Sequence, residues 1–310
     1  MKKMKVPERL EPTIKEIKFI LRRIKDSPLS LAGIALVSAF IIIAVFAPVL
    51  APPKPGFNPY LIPSDPSLGF RIEPSPPSPN HIFGTTTAQR DIYYACIWGA
   101  RWAFQIALEV IVATVTVGIV LGLVAGYYGG FIDELIMRFT DIMLAFPGLI
   151  LAMTLVTILS QVNWQTIDAV LLSIILIGWP GYTRLIRSEV LRIKNEDYIE
   201  AARACGASDL RIMLRHILPN AVYSIIIVAS LDFGSIVLTT AAMSFLGLGA
   251  PLGWSDWGRL IYDGMSFVSG GLRWWWSWVY PGVFIVLFVL GWSLLGDALR
   301  DVLDPLYRRK

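Results

Sequence analysis

Residues 199–220 read IEAARACGASDLRIMLRHILPN. This is the longest stretch of the chain plainly unsuited to hydrocarbon, yet long apolar segments flank it on both sides. Tyr198, Ala201, Ala202 and Cys205 fall at i, i+3, i+4 and i+7, and Leu210, Met213, Leu214 and Ile217 repeat that spacing after a glycine. The pattern predicts two short amphipathic helices hinged at Gly206. Asn195 is placed to cap the first, with Glu196 and Asp197 in its opening turn. Gly206 suits a left-handed stop, Ser208 can cap the second helix, and Pro219 is expected to end it. A helix, glycine, helix unit held beside a membrane suits the docking of another protein.

The rest of the chain supplies that membrane. A hydrophobic share of 55%, a charged share of 16% and a mean hydropathy of +0.61 exceed what a soluble domain of 310 residues can hide in one core. The expected fold is an all-α, polytopic membrane protein. The net charge of +4 is informative through its distribution, and binding to nucleic acid is not expected. Six apolar segments carry the spans: 29–50, 102–126, 142–160, 166–186, 221–246 and 274–296. The first is 22 uncharged residues, about 33 Å as a helix against a hydrocarbon core of roughly 30 Å, and is longer than the apolar core of a cleaved signal peptide. Between it and the second span, ten of the chain's 20 prolines lie in residues 51–79, which favours an extended connection. With both termini on one side, 21 of the 27 Lys and Arg fall on that side and six on the other. That bias places Glu200 and both termini in the cytoplasm. The expected division is a basic cytoplasmic segment over 1–28, a first transmembrane helix over 29–50, and an extracytoplasmic proline-rich loop over 51–101. A five-helix core over 102–298 follows, with a cytoplasmic loop at 188–219, and then a cytoplasmic tail over 299–310. Cys96 and Cys205 fall on opposite sides of the bilayer and cannot pair.

On these residues the chain resembles the permease subunits of ABC importers. Glu200, Ala201, Ala202, Gly206, Leu218 and Pro219 match their EAA loop. The wider pattern is similar to the second permease of the peptide and oligopeptide importers. It includes SPLSLAG before the first span, HIFGT at 81–85, Arg90 and Asp91, GAR at 99–101 and AGYYGG at 125–130. It continues with YTRLIR at 182–187, SFLGLG at 244–249 and LLGDALRDVLDP at 294–305. His216 stands where the general EAA pattern has isoleucine and the peptide branch commonly has histidine. Ile82, Thr86, Gln89 and Thr240 stand in place of a usual Pro, Asp, Gly and Glu.

The chain contains no GxxxxGK[ST] sequence to cradle nucleotide phosphates. The resemblance implies that ATP and Mg are bound by partner subunits, and that this chain carries no cofactor, no metal and no catalytic residue. The partners it implies are a homologous permease, two ATP-binding cassette ATPases and an extracytoplasmic substrate-binding protein, all at a prokaryotic cytoplasmic membrane. ATPase coupling is expected at Glu200, Ala201, Ala202, Gly206, His216, Leu218 and Pro219.

Within the spans, Gly118, Gly122 and Gly126 share one face at four-residue steps, as in closely packed helices. Pro180 is expected to kink the fourth span. Glu109 and Asp232 are acids in apolar segments, where an uncompensated charge is costly, and both are candidates for the translocation path. Asp232 is equally placed to bond a neighbouring helix. Asp297, Arg300, Asp301 and Asp304 are spaced for helical ion pairs, and Trp274 to Trp278 (WWWSW) suits an outer interfacial belt. The expected function is ATP-driven import of di- or oligopeptides. The same machinery also serves oligosaccharides and nickel chelates, and a proton-coupled carrier or channel relaying through Glu109 and Asp232 is the rival of another class.

Overall fold

The computed structural model describes residues 27–65, 73–162, 164, 166–265 and 273–303. The expectations for the basic segment before residue 27, and for Asp304 and the residues after it, lie outside the described residues. Helices α1 (Pro28–Leu50), α2 (Ile92–Tyr128), α3 (Gly130–Ala145), α4 (Gly148–Gln161) and α5 (Thr166–Ile193) come first. Then follow α6 (Asp197–Ala204), α7 (Asp209–Ile212), a π turn over Met213–Ile217, α8 (Leu218–Phe245), α9 (Trp257–Met265) and α10 (Trp276–Leu303). No strand forms among the described residues, only three isolated β-bridges.

Five of these helical stretches are long and apolar enough to cross a membrane, and the bent pair α3–α4 brings the number to six when counted as one span. Local chemistry sets their ends. Ser27 caps α1 by accepting from the Ser30 amide, with Pro28 in the first turn. Asp91 caps α2 by accepting from the Tyr94 amide at 2.9 Å. At 37 residues, about 55 Å, α2 outreaches the hydrocarbon core. It starts ten residues before the expected span, because Gly99 and Ala100 lie against other helices rather than in a loop, and Arg101 stays exposed at the helix surface. The segment expected as one span at 142–160 is broken instead. Phe146 is extended at ψ 143°, the conformation favoured before a proline, and α3 and α4 meet there at 91°. Conversely α5 runs without a break through Pro180.

The helices close around two apolar clusters. The larger joins Phe40, Trp98, Trp257 and Phe288 near one end, where the loops between α1 and α2 and between α8 and α10 gather; we call this end the cap. The smaller packs Ile186, Val190 and Ile193 of α5 on Leu123 of α2, and carries Ile199, Ile212 and Ile217 of the 199–220 segment. Helix α2 packs most extensively on α5, and α10 lies against both α8 and α1. The three-glycine face of α2 explains the first contact: a Cβ at Gly118, Gly122 or Gly126 would come within 2.4 to 2.8 Å of the Cβ of Tyr182, Ile186 or Val190.

Candidate functional site

The 199–220 segment is pinned at the end of the bundle opposite the cap. Ile199, Ile212 and Ile217 are fully buried, and this small apolar foot supports everything outside it. Polar ties brace it. Tyr127 donates to Asp209 at 2.6 Å, Lys194 donates to the Gly126 carbonyl at 2.8 Å, and Ser224 donates to Glu189 at 2.7 Å. Nearby, Arg187 grips Asp133 through Nε and Nη2 at 2.5 and 2.6 Å, fastening α3 to α5 in a two-point geometry.

Gly206 takes φ +83° between α6 and α7, the left-handed stop that its position called for. The caps differ from expectation. Glu196, not Asn195, stands at the N-cap of α6 with no side-chain bond, while Asn195 donates to the Leu191 carbonyl; Ser208 caps α7 without using its hydroxyl. Pro219 does not end a helix. The chain runs on from Asp209 to Phe245 through the π turn, where the Leu218 amide reaches back five residues to Met213. The widened turn makes room for a ring that lacks an N–H, and the Asn220 side chain donates to the His216 carbonyl at 2.6 Å.

The helical stripe read from the sequence divides, with Met213 and Ile217 buried in the foot and the rest turned outward or half-buried. Tyr198, Ala201, Cys205, Leu210 and Leu214 are exposed, as is Glu200 on the same helix. Ala202, His216 and Leu218 are half-buried and Pro219 is exposed. Outside the isoleucine foot the segment therefore exposes an acid, small side chains and large apolar ones, and we call this outer side the ledge. No ion pair forms among Asp297, Arg300 and Asp301.

The two acids in apolar helices sit in separate networks. Tyr182 of α5 donates to Asp232 of α8 at 2.7 Å, and Ser235 donates to the Asp232 carbonyl at 3.0 Å. Tyr182 also abuts Gly118, so the bond to Asp232 lies where α5 packs between α2 and α8. Glu109 is exposed, accepts from Gln105 at 2.9 Å, and through it connects to the hydroxyl of Tyr60, which donates to Gln105 at 2.7 Å. Nothing joins the two acids into a relay among the described residues.

Sequence reasoning missed the construction of the cap. His81 is clamped by Asp91 at Nδ1 (2.7 Å) and Asp65 at Nε2 (3.2 Å). Since Asp91 also caps α2, the imidazole ties the loop to the head of that helix. Partial burial lowers the imidazole pKa, the hydrogen bonds to the two carboxylates raise it, and the carboxylates prevail, leaving it above the ordinary value. Beside it, Gln89 holds φ +54°, a backbone that favours the glycine usual at this position. It is retained through its side chain, whose Oε1 accepts from the Thr85 and Ser75 hydroxyls and whose Nε2 donates to the Glu73 carbonyl. In the WWWSW run, Trp276 is buried against Gly84 while Trp275 is exposed, so only part of the run is available to an interface.

The model of the family described as "Binding-protein-dependent transport system inner membrane component" matches residues 118–309. The chain is 37% identical to the dipeptide transport system permease protein of Alkalihalophilus pseudofirmus, over 92% of this chain and 88% of that one. It is 40% identical to the dipeptide transport system permease protein of Escherichia coli K12, over 89% and 88%. It is 31% identical to the oligopeptide transport system permease protein of Bacillus subtilis, over 93% and 88%. Among solved structures, an amino acid ABC transporter aligns with a TM-score of 0.48 at 17% identity, covering 70% of this chain and 94% of that one.

Proposed function

The chain belongs to the binding-protein-dependent transport system inner membrane components, and from that premise we propose that it is a permease subunit of an ATP-driven importer of di- or oligopeptides. It pairs with a homologous permease, receives substrate from an extracytoplasmic binding protein, and is driven by two partner ATPases that bind the ATP and Mg. Both termini and the 199–220 ledge face the cytoplasm; the cap faces outward. Glu109 and Asp232 border the path between the two permeases, Glu109 from the open surface of α2 and Asp232 from the edge it shares with Tyr182.

The observation that carries this reading is the ledge. An apolar stripe with an acid, turned to solvent on a short rigid unit, costs exposure unless a partner covers it. Its foot is locked to α2, α5 and α8 by burial and hydrogen bonds, so a push on the ledge reaches the spans as displacement of packed helices. Glu200 offers the partner a charge-assisted contact, Ala201 and Ala202 let it approach closely, and Gly206 sets the angle between the two arms.

The test is uptake of a labelled dipeptide by the reconstituted complex. Uptake is expected to require ATP inside and to survive collapse of the proton gradient; uptake driven by the gradient alone would favour the carrier with Glu109 and Asp232 as relay. A Gly206→Val variant should lose ATP-driven uptake. Nothing lies within 4 Å of a Cβ at Gly206, so its effect comes from the strained backbone and the altered arm angle, not from a clash.

A further inference from the structure

The cap carries a solvent-open cavity of about 350 Å³. Two cations line it, Lys54 and Arg90, together with apolar walls from Phe57, Leu61, Ile62 and Leu252. Its frame is fixed by backbone pairing. Leu61 bridges Trp254, Ser64 bridges Arg90, and the Ile62 amide donates to the Gly253 carbonyl at 2.8 Å. Gly253 holds φ +82°, and a Cβ there would stand 2.8 Å from Arg90 Cζ, so its missing side chain is what lets the guanidinium lie against the loop.

Arg90 Nη1 is sealed from solvent with no hydrogen-bond partner among the described residues, and Lys54 makes no ion pair among them. Asp263, whose charge acts on Arg90, is itself held by Arg259 at 3.1 Å, and Asp91 is held by His81. Lys54 and Arg90 both line the cavity, and an oxyanion there pairs with both cations.

The geometry points to a carboxylate site that takes the C-terminal end of a short peptide, the carboxylate between Lys54 and Arg90 and the last side chain against Phe57 and Leu252. The size suits one or two residues and not a long chain. A lipid phosphate fits the charge but not the place: the cavity is built from cap loops and the first turn of α2, and the end of α1, at Leu50 and Ala51, borders the neighbouring groove instead. Asn58 in the cavity wall is two residues from Tyr60, which bonds Gln105 beside Glu109, so the site adjoins the open face of α2. The assignment rests on the peptide-importer reading.

The test is equilibrium binding of alanyl-phenylalanine and of its C-terminal amide to the intact complex in lipid nanodiscs. The free acid is expected to bind, with roughly tenfold or greater weakening in Lys54→Gln and Arg90→Gln, and the amide is expected to bind no better than it does to those variants. Lys54 is exposed, so Lys54→Gln is free of the folding risk that attends Arg90. Equal binding of acid and amide, or an unchanged affinity in Lys54→Gln, overturns the site. So does inorganic phosphate or a co-purifying phospholipid that depends on Lys54 and Arg90 while the peptide does not. Uptake measured on the same wild-type complex separates the two readings. Import without binding here refutes the cavity alone; binding without ATP-driven import refutes the importer.

Discussion

At Gly122 a side chain of any size would collide with Ile186, its Cβ standing 2.8 Å from that residue's Cβ and from the Thr183 carbonyl. Gly122→Leu should therefore destabilise the α2–α5 contact by about 2 kcal/mol or more, read as a lower thermal midpoint in detergent. Gly181→Ala is the control: nothing lies within 4 Å, and a mid-helix glycine replaced by alanine should gain about 0.5 to 1 kcal/mol. This glycine face is legible from the sequence because its spacing is local. The His81 clamp is not, since Asp65 and Asp91 reach it from 16 and 10 residues away across an irregular loop. Its behaviour with pH follows from the raised pKa. Protonated His81 bonds both carboxylates, so its contribution is complete below its ordinary pKa of 6.5 and is lost as pH rises through the raised folded-state value. Hydrogen exchange of the cap amides should accelerate as pH rises past about 6.5, beyond the intrinsic rate change. His81→Ala should abolish that excess.

At the scale of elements, the sequence reveals which segments are helical and misplaces several joints. Phe146–Pro147 carries the signal for the 91° break between α3 and α4, but an uncharged run of ordinary span length hides it. Pro219 misleads in the other direction. Proline normally interrupts a helix, yet here a single π turn absorbs the ring and the helix continues into α8. That turn fixes the rotation of the ledge relative to the span. Pro219→Ala should let the turn tighten to α geometry and swing residues 209–217 by up to about 100° around the axis. The expected outcome is impaired ATP-driven uptake with an equal or higher thermal midpoint. A loss of uptake that tracks loss of folding would show instead that Pro219 serves stability.

For the whole molecule, apolar run length and the bias of Lys and Arg are enough to read a multi-pass membrane protein, because both follow from the bilayer as solvent. What the sequence leaves hidden is tertiary pairing: Arg187 with Asp133, Tyr182 with Asp232, and the two cap loops that meet around Arg90. The architecture puts the ledge proposed for docking at one end and the cap at the other, joined by helices packed through glycine contacts. The claim that energy enters at the ledge has a built-in reporter. Cys205 is exposed there and Cys96 is fully buried, so one thiol should react with a membrane-impermeant maleimide. Labelling in membranes that lack the partner ATPases should occur in inverted vesicles and not in right-side-out ones, and assembly with the ATPases should suppress it. Labelling from the outer face, or an unchanged rate when the ATPases are bound, would contradict the account.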